Sequence, residues 1–250
     1  MAATVLVIDV ASPSFALAVA AALLAGLVRG FSGFGAAMIL IPVLAALYGP
    51  RLAVPVLLLV DIVLTVPMVV GAVRRCAWGE VLPLVAGFVV ALPFGVYVLL
   101  VADPTVLTRA MAVVVLLVAA AMALGLRRRS APGRLASVAT GGVSGLLGGS
   151  IGIGGPPVIL FWLSGQDPAA RTRANIIAFF GVTGVVALIG FLLAGIMTAD
   201  VLVLTALLMP AYALGLWAGA RAFGRTADGF YRRAALAIIT AIGLSTLAFA

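Results

Sequence analysis

The sequence predicts an all-α polytopic membrane protein with an inverted-topology internal repeat, each half a glycine-broken helix pair followed by three full transmembrane helices. Three observations lead there. The 250 residues are 65% hydrophobic and 9% charged, with a mean hydropathy of +1.35, which leaves too little polar surface to cover a water-soluble globule. Two glycine-rich stretches, Gly30-Phe31-Ser32-Gly33-Phe34-Gly35 and Gly148-Gly149-Ser150-Ile151-Gly152-Ile153-Gly154-Gly155-Pro156-Pro157, interrupt apolar runs at corresponding places in the two halves. Arginine clusters between the apolar runs alternate in a way that sets a topology.

Apolar runs of about 20 residues match the hydrocarbon thickness of a bilayer. They give six full spans: Leu52 to Val73, Glu80 to Val101, Thr108 to Leu126, Ala174 to Gly195, Ala199 to Ala220 and Arg232 to Ala250. The stretches Phe15 to Tyr48 and Leu135 to Gly165 each contain a glycine break, so each is either two thin spanning helices or a re-entrant pair, for eight or ten segments in all. No basic residue precedes the run from Phe15 to Val28, and Asp9 does, so that run is expected to be a retained helix and not a cleaved signal.

A shift of 119 residues carries Gly26, Gly30, Gly33, Gly35 and Leu44 onto Gly145, Gly149, Gly152, Gly154 and Leu163, and Gly71 onto Gly190. Self-similarity at a fixed offset marks an internal repeat. The expected division is 1–126 for the first repeat, 127–134 for an arginine-rich cytoplasmic linker and 135–250 for the second. Each half has an odd number of crossings, so the second copy is inverted. Arginine placement agrees: with Arg74 and Arg75 inside, the linker, Arg171 with Arg173, and Arg221 to Arg233 all fall inside as well. Arg51 and Arg109 fall outside, and both termini are expected on the non-cytoplasmic side.

Composition also excludes function classes. The formal net charge of +8 comes from fifteen arginines against seven acids, and most of the arginines sit in short clusters between apolar runs, a topology pattern and not a nucleic-acid footprint. With no His and the single Cys76, which reads as structural, no usual zinc site, haem or internal disulfide is expected, and no cofactor. The glycine stretches lack the β-α-β context and the later acid of a dinucleotide fold. A phosphate-binding Gly-x-x-x-x-Gly-Lys loop is impossible without Lys. An enzyme would need a nucleophile beside its base; Gly148-Gly149-Ser150-Ile151-Gly152 has the spacing of a Gly-x-Ser-x-Gly elbow, but the chain has no His to serve as base and no paired carboxylates on one segment.

The glycine breaks carry the functional expectation. A helix start leaves N–H groups without partners and carries about half a positive charge, so two opposed starts at membrane depth would hold a small anion. Gly33, Gly35 and Ala36 would line one half-site, and Gly152, Gly154 and Gly155 the other, with Pro156 in a first turn that needs no N–H. Ser32 and Ser150 would add hydroxyls. The competing reading, that glycines only allow close helix crossing, fits any single glycine equally well; the paired breaks favour a site.

The polar residues near these breaks have more than one reading. Arg29, just before the first break, either attracts the anion or neutralises an acid such as Asp61, or reaches an interface. Asp61, central in its span, is the candidate proton-coupling residue, and its repeat counterpart is Phe180. Arg171 and Arg173 either gather anions in a cytoplasmic vestibule or only mark topology. Asn175 and Thr183 either face the cavity or bond neighbouring helices.

The stretches Gly30-Phe-Ser-Gly-Phe-Gly-Ala-Ala-Met-Ile-Leu-Ile-Pro42 and Gly149-Ser-Ile-Gly-Ile-Gly-Gly-Pro-Pro-Val-Ile-Leu160 together resemble the paired motifs of the TauE/SafE sulfite exporter family, also called the toluene sulfonate uptake permease family. Pro50-Arg-Leu-Ala-Val-Pro55 and Asp167-Pro-Ala-Ala-Arg-Thr-Arg173 are similar to that family's post-motif loops. The resemblance covers nearly the whole chain. It implies a secondary carrier in a bacterial inner membrane, moving sulfite or organosulfonates by alternating access, with an inside-negative potential helping an exported anion outward. Proton coupling and a homodimer stay open, as does a carrier of metal cations or neutral metabolites.

Overall fold

A computed structural model describes residues 9–123, 133–163, 165 and 167–223 of the chain. Those residues form nine helices: α1 (Pro13–Ser32), α2 (Ala36–Tyr48), α3 (Pro50–Val73), α4 (Trp78–Val101), α5 (Pro104–Ala123), α6 (Arg134–Ile151), α7 (Gly155–Leu163), α8 (Ala169–Leu193) and α9 (Ala199–Phe223). Five of them are long and apolar enough to cross a membrane: α1, α3, α4, α8 and α9. The described residues are all-helical, and the chain is a multi-pass membrane protein. The expected span from Arg232 to Ala250 and most of the 127–134 linker lie outside the described residues.

Local sequence explains the helix boundaries. Ser12 caps α1, its hydroxyl accepting the Phe15 N–H at 3.2 Å, and Pro13 follows in a first turn that has no use for its missing N–H. Gly49, at φ 87°, turns the chain from α2 into Pro50 at the start of α3. At the α3–α4 turn, the Asn175 side-chain oxygen accepts the Ala77 N–H at 2.7 Å. With 13 and 9 residues, α2 and α7 are about 20 and 14 Å long. Neither crosses a hydrocarbon core of about 30 Å on its own.

Two tight seams hold the bundle. Helix α1 packs most extensively on α9, α4 on α6, and α3 on α8. In the first seam a Cβ on Gly26 or Gly30 would fall on the carbonyls of Tyr212 or Leu216, and one on Gly215 or Gly219 on those of Leu23 or Leu27. The second repeats the arrangement, Gly87 meeting the Val138 carbonyl, Gly141 that of Leu84 and Gly145 that of Phe88. Lipid tails are as apolar as leucine side chains, so helix association in a bilayer relies on this backbone proximity and the dispersion it allows. Val90, Phe94 and Tyr97 on α4 are 64–70% exposed, an apolar face suited to lipid.

The seams make adjacent glycines unequal. A Cβ at Gly141 collides with the backbone of α4, whereas one at Gly142 meets only the Gly87 carbonyl at 3.9 Å. Gly141→Ala is expected to lower the thermal unfolding midpoint of the detergent-purified protein. Gly142→Ala should hold or raise it, since Ala stabilises a helix interior by about 0.5–1 kcal/mol over Gly.

Candidate functional site

Both glycine stretches end one helix and start another. Helix α1 stops at Gly33, whose φ of 82° is open to glycine at little cost and whose N–H closes on the Arg29 carbonyl at 2.8 Å. Gly35, at φ 91°, then aims the chain into α2. Helix α6 stops at Gly152, at φ 70°, three residues before α7 begins. Serines close the breaks: the Ser32 hydroxyl lies 2.7 Å from the Val28 and Phe34 carbonyls and accepts the Phe34 N–H at 3.2 Å. In the second break, the Ser144 hydroxyl donates to the Gly154 carbonyl at 2.5 Å.

The two restarted helices open onto one cavity of about 240 Å³. Gly35, Ala36 and Ala37 at the start of α2 line it, as do Gly154, Gly155 and Pro156 at the start of α7. The starts of two helices therefore border a common space, although Pro156 and Pro157 leave α7 fewer first-turn N–H groups than α2. The rest of the wall is mostly apolar, with Leu57, Ile62, Phe88, Ile159 and Phe191 among its side chains. Thr65 and Thr183 also line it, but each hydroxyl bonds back within its own helix, to the Asp61 and Phe179 carbonyls.

Among the described residues, Arg29 and Asp61 are the charged side chains on this wall. Arg29 is 3% exposed. It grips Asp61 with a two-pronged contact, Nε to Oδ1 at 2.8 Å and Nη2 to Oδ2 at 2.7 Å. Its third nitrogen donates to the Gly33 carbonyl, fixing the guanidinium to the break itself. The Phe180 ring centroid lies 5.0 Å from the guanidinium carbon, within cation–π range. On the far side of the carboxylate, the fully buried Tyr212 of α9 donates its hydroxyl to Asp61 Oδ1 at 2.6 Å.

The other residues singled out in the sequence lie away from this cavity wall. Ser32 is buried in the first break; Gly33 packs beside Ile177 and Arg173; Ser150 donates to the Leu146 carbonyl in its own helix. Asn175 bonds neighbouring segments, the second of its two readings, donating to Glu80 at 3.0 Å besides capping Ala77. Glu80 also accepts from Trp162 at 3.3 Å and from Arg171 at 3.3 Å, and Arg171 lies 3.9 Å from Asp167. Arg173 donates to the Gly30 and Phe31 carbonyls at 2.7 and 3.2 Å, covering the last turn of α1 as a cation at a helix C-terminus does. The sequence offered no reason to place Tyr212 or Glu80 at these points, since neither pairs with its partner at a recognisable spacing.

The Arg29–Asp61 pair should behave as one unit. Removing one member strands a buried charge, and breaking such pairs costs about 3–5 kcal/mol. Asp61→Ala is expected to lower stability by that order in detergent unfolding. Combining it with Arg29→Met should restore most of the loss, which a double-mutant cycle would measure.

The sequence profile described as Sulfite exporter TauE/SafE matches residues 18–246, a stretch that contains both breaks, both seams and the whole cavity. No curated protein and no solved structure matches the chain significantly. The profile spans nearly all of the sequence, and the family consists of membrane transporters, not enzymes. The chain belongs to the TauE/SafE sulfite exporter family.

Proposed function

We propose that this chain is a secondary carrier that exports a small sulfur oxyanion or organosulfonate across a bacterial inner membrane by alternating exposure of the central cavity. The observation that carries the reading is the convergence of two helix starts and Arg29 on one cavity. Each helix start supplies N–H donors and about half a positive charge, and Arg29 supplies a planar donor fork that suits an oxyanion. Gly35, Ala36, Gly152, Gly154, Gly155 and Pro156 are the wall residues assigned to this anion. Glycine and alanine there leave the N–H groups open to close approach.

The size and polarity of the cavity favour the organic members of the substrate class. A water needs roughly 10–15 Å³ of such space, and about 240 Å³ bounded mostly by apolar side chains exceeds what a bare oxyanion fills. A sulfonate with an apolar body would place its oxygens at the helix starts and Arg29, and its body against Leu57, Ile159 and Phe191.

The reciprocal packing of α1 on α9 and α4 on α6, with α3 on α8 between them, supports an inverted repeat. At the 119-residue offset α1 corresponds to α6, α4 to α9 and α3 to α8, so each seam joins one half to the other. Gly33 and Gly152, equivalent at that offset, share the positive φ that ends a helix. A carrier built this way alternates by rocking one half on the other while the site stays central. Asp61 is the proton-coupling residue in this scheme. Arg171 and Arg173 lie on the side assigned to the cytoplasm, where Arg171 is half exposed and paired with Glu80 and Asp167.

Reconstituted into liposomes, the protein should move labelled benzenesulfonate or sulfite well above empty vesicles. Absence of flux for the whole panel would overturn the reading. Ala37→Leu, which fills cavity space at the start of α2, should cut flux at least tenfold with little change in unfolding midpoint. Gly154→Leu is a poorer test, because a Cβ there already meets the Ser144 carbonyl and the Gly148 backbone.

A further inference from the structure

The guanidinium that would bind the anion is already held by a carboxylate. Asp61 meets Arg29 through both oxygens, in the geometry an incoming sulfonate would use. Substrate and Asp61 therefore compete for the same two donors, Nε and Nη2. Among the described residues the remaining wall offers no second cation: α2 and α8 bring no ionisable side chain to the cavity, and α9 faces Asp61 with Tyr212.

Charge bookkeeping then decides the outcome. The empty site is neutral, one arginine against one aspartate. A monoanion seated on Arg29 with Asp61 still ionised leaves a net negative charge in a largely apolar enclosure, and uncompensated charge at membrane depth is strongly unfavourable. A proton on Asp61 restores neutrality. Tyr212 donates to Oδ1, and Oδ2 loses its partner when Arg29 turns to the anion, so Oδ2 is the oxygen that accepts the proton. The Asp61 side chain is 22% exposed whereas that of Arg29 is 4% exposed, so the acid is the more accessible member of the pair on the cavity wall.

Resting on the reading of this cavity as the transport site, we infer that one proton travels with each monoanion, carried on Asp61 while the anion occupies Arg29, and that Tyr212 is the positioning residue that holds the displaced acid. The only covalent change is one proton transfer. Water on the loading side gives the proton to Asp61 Oδ2; when the anion leaves, Arg29 re-forms its contact and the proton returns to water on the releasing side. The loaded cavity is neutral, so the membrane potential does not drive a monoanion through it.

Benzenesulfonate is a suitable probe because it stays a monoanion across the working pH range, so any pH effect belongs to the protein. Its affinity for the detergent-purified full chain, measured by calorimetry, should rise as pH falls, by up to about tenfold per pH unit for one linked proton. Asp61→Asn, whose amide cannot take up the proton, should bind with a flat pH profile, and Asp61→Glu should keep the slope. Tyr212→Phe should move the midpoint of the profile without changing its slope. In liposomes an outward sulfonate gradient should carry one proton per sulfonate in the same direction, seen with a trapped pH dye, and clamping the potential should leave the flux unchanged. Binding independent of pH in the natural protein, or protons moving against the sulfonate, would overturn the coupling while leaving the carrier reading intact. No binding and no flux at any pH would overturn both.

Discussion

A backbone that stops being helical inside a membrane must find its hydrogen-bond partners within the protein, because lipid offers none. Side-chain contacts help both breaks meet that requirement, and Arg29, which takes part at the first, also lines the cavity. At the first, Gly33 returns its N–H to Arg29, Ser32 bridges to Phe34, and Arg173 reaches across from α8 to the Gly30 and Phe31 carbonyls. Arg29 itself donates to the Gly33 carbonyl. At the second, Ser144 takes the Gly154 carbonyl. At the first break the carbonyls of Gly30, Phe31, Gly33 and Phe34 all accept from side chains, while the starts of α2 and α7 line the cavity. In the proposed carrier that arrangement leaves donors for an anion.

The same donors explain why a buried arginine is tolerated here. Its three nitrogens all have partners, its face rests against Phe180, and its counter-ion is held from the other side by Tyr212. Three helices, α1, α3 and α9, are tied at this point, and α8 contributes the ring. Because α1 and α9 also meet along a glycine seam, the distance from Arg29 to Tyr212 is set by backbone contact and not by side-chain length. The close crossing and the polar network are therefore one construction: a bulkier seam would move Tyr212 away from the carboxylate.

Much of this was legible in the sequence where a physical rule leaves a local mark. Glycine at positive φ and proline in a first turn mark helix ends, so the boundaries at Gly33, Gly35, Gly49 and Gly152 follow from residue type. Arg29 and Asp61 were readable as unusual because charge inside an apolar run is rare, and their pairing was one of two readings from sequence. What the sequence could not show was partnership across distance. Tyr212 sits 151 residues from Asp61, and a tyrosine in an apolar helix looks like any packing aromatic. Arg173 looks like a topology signal, yet it covers the end of α1 from 143 residues away. Asn175 carries no local hint that Glu80 and Ala77 are its partners.

The asymmetry of the site follows from the same geometry. At the 119-residue offset Asp61 and Phe180 are equivalent positions, and both contact Arg29, one through its carboxylate and the other through its ring face. The position equivalent to Arg29 is Gly148, which also lines the cavity but brings no side chain. One half thus supplies the cation and its acid, and the other supplies a helix start, a ring and space. In the proposed carrier, a single guanidinium fixed between unlike partners limits the bound charge to what one cation balances. It would also leave the opposite wall to an apolar body, so that the half holding the charge sets the orientation of the proposed anion.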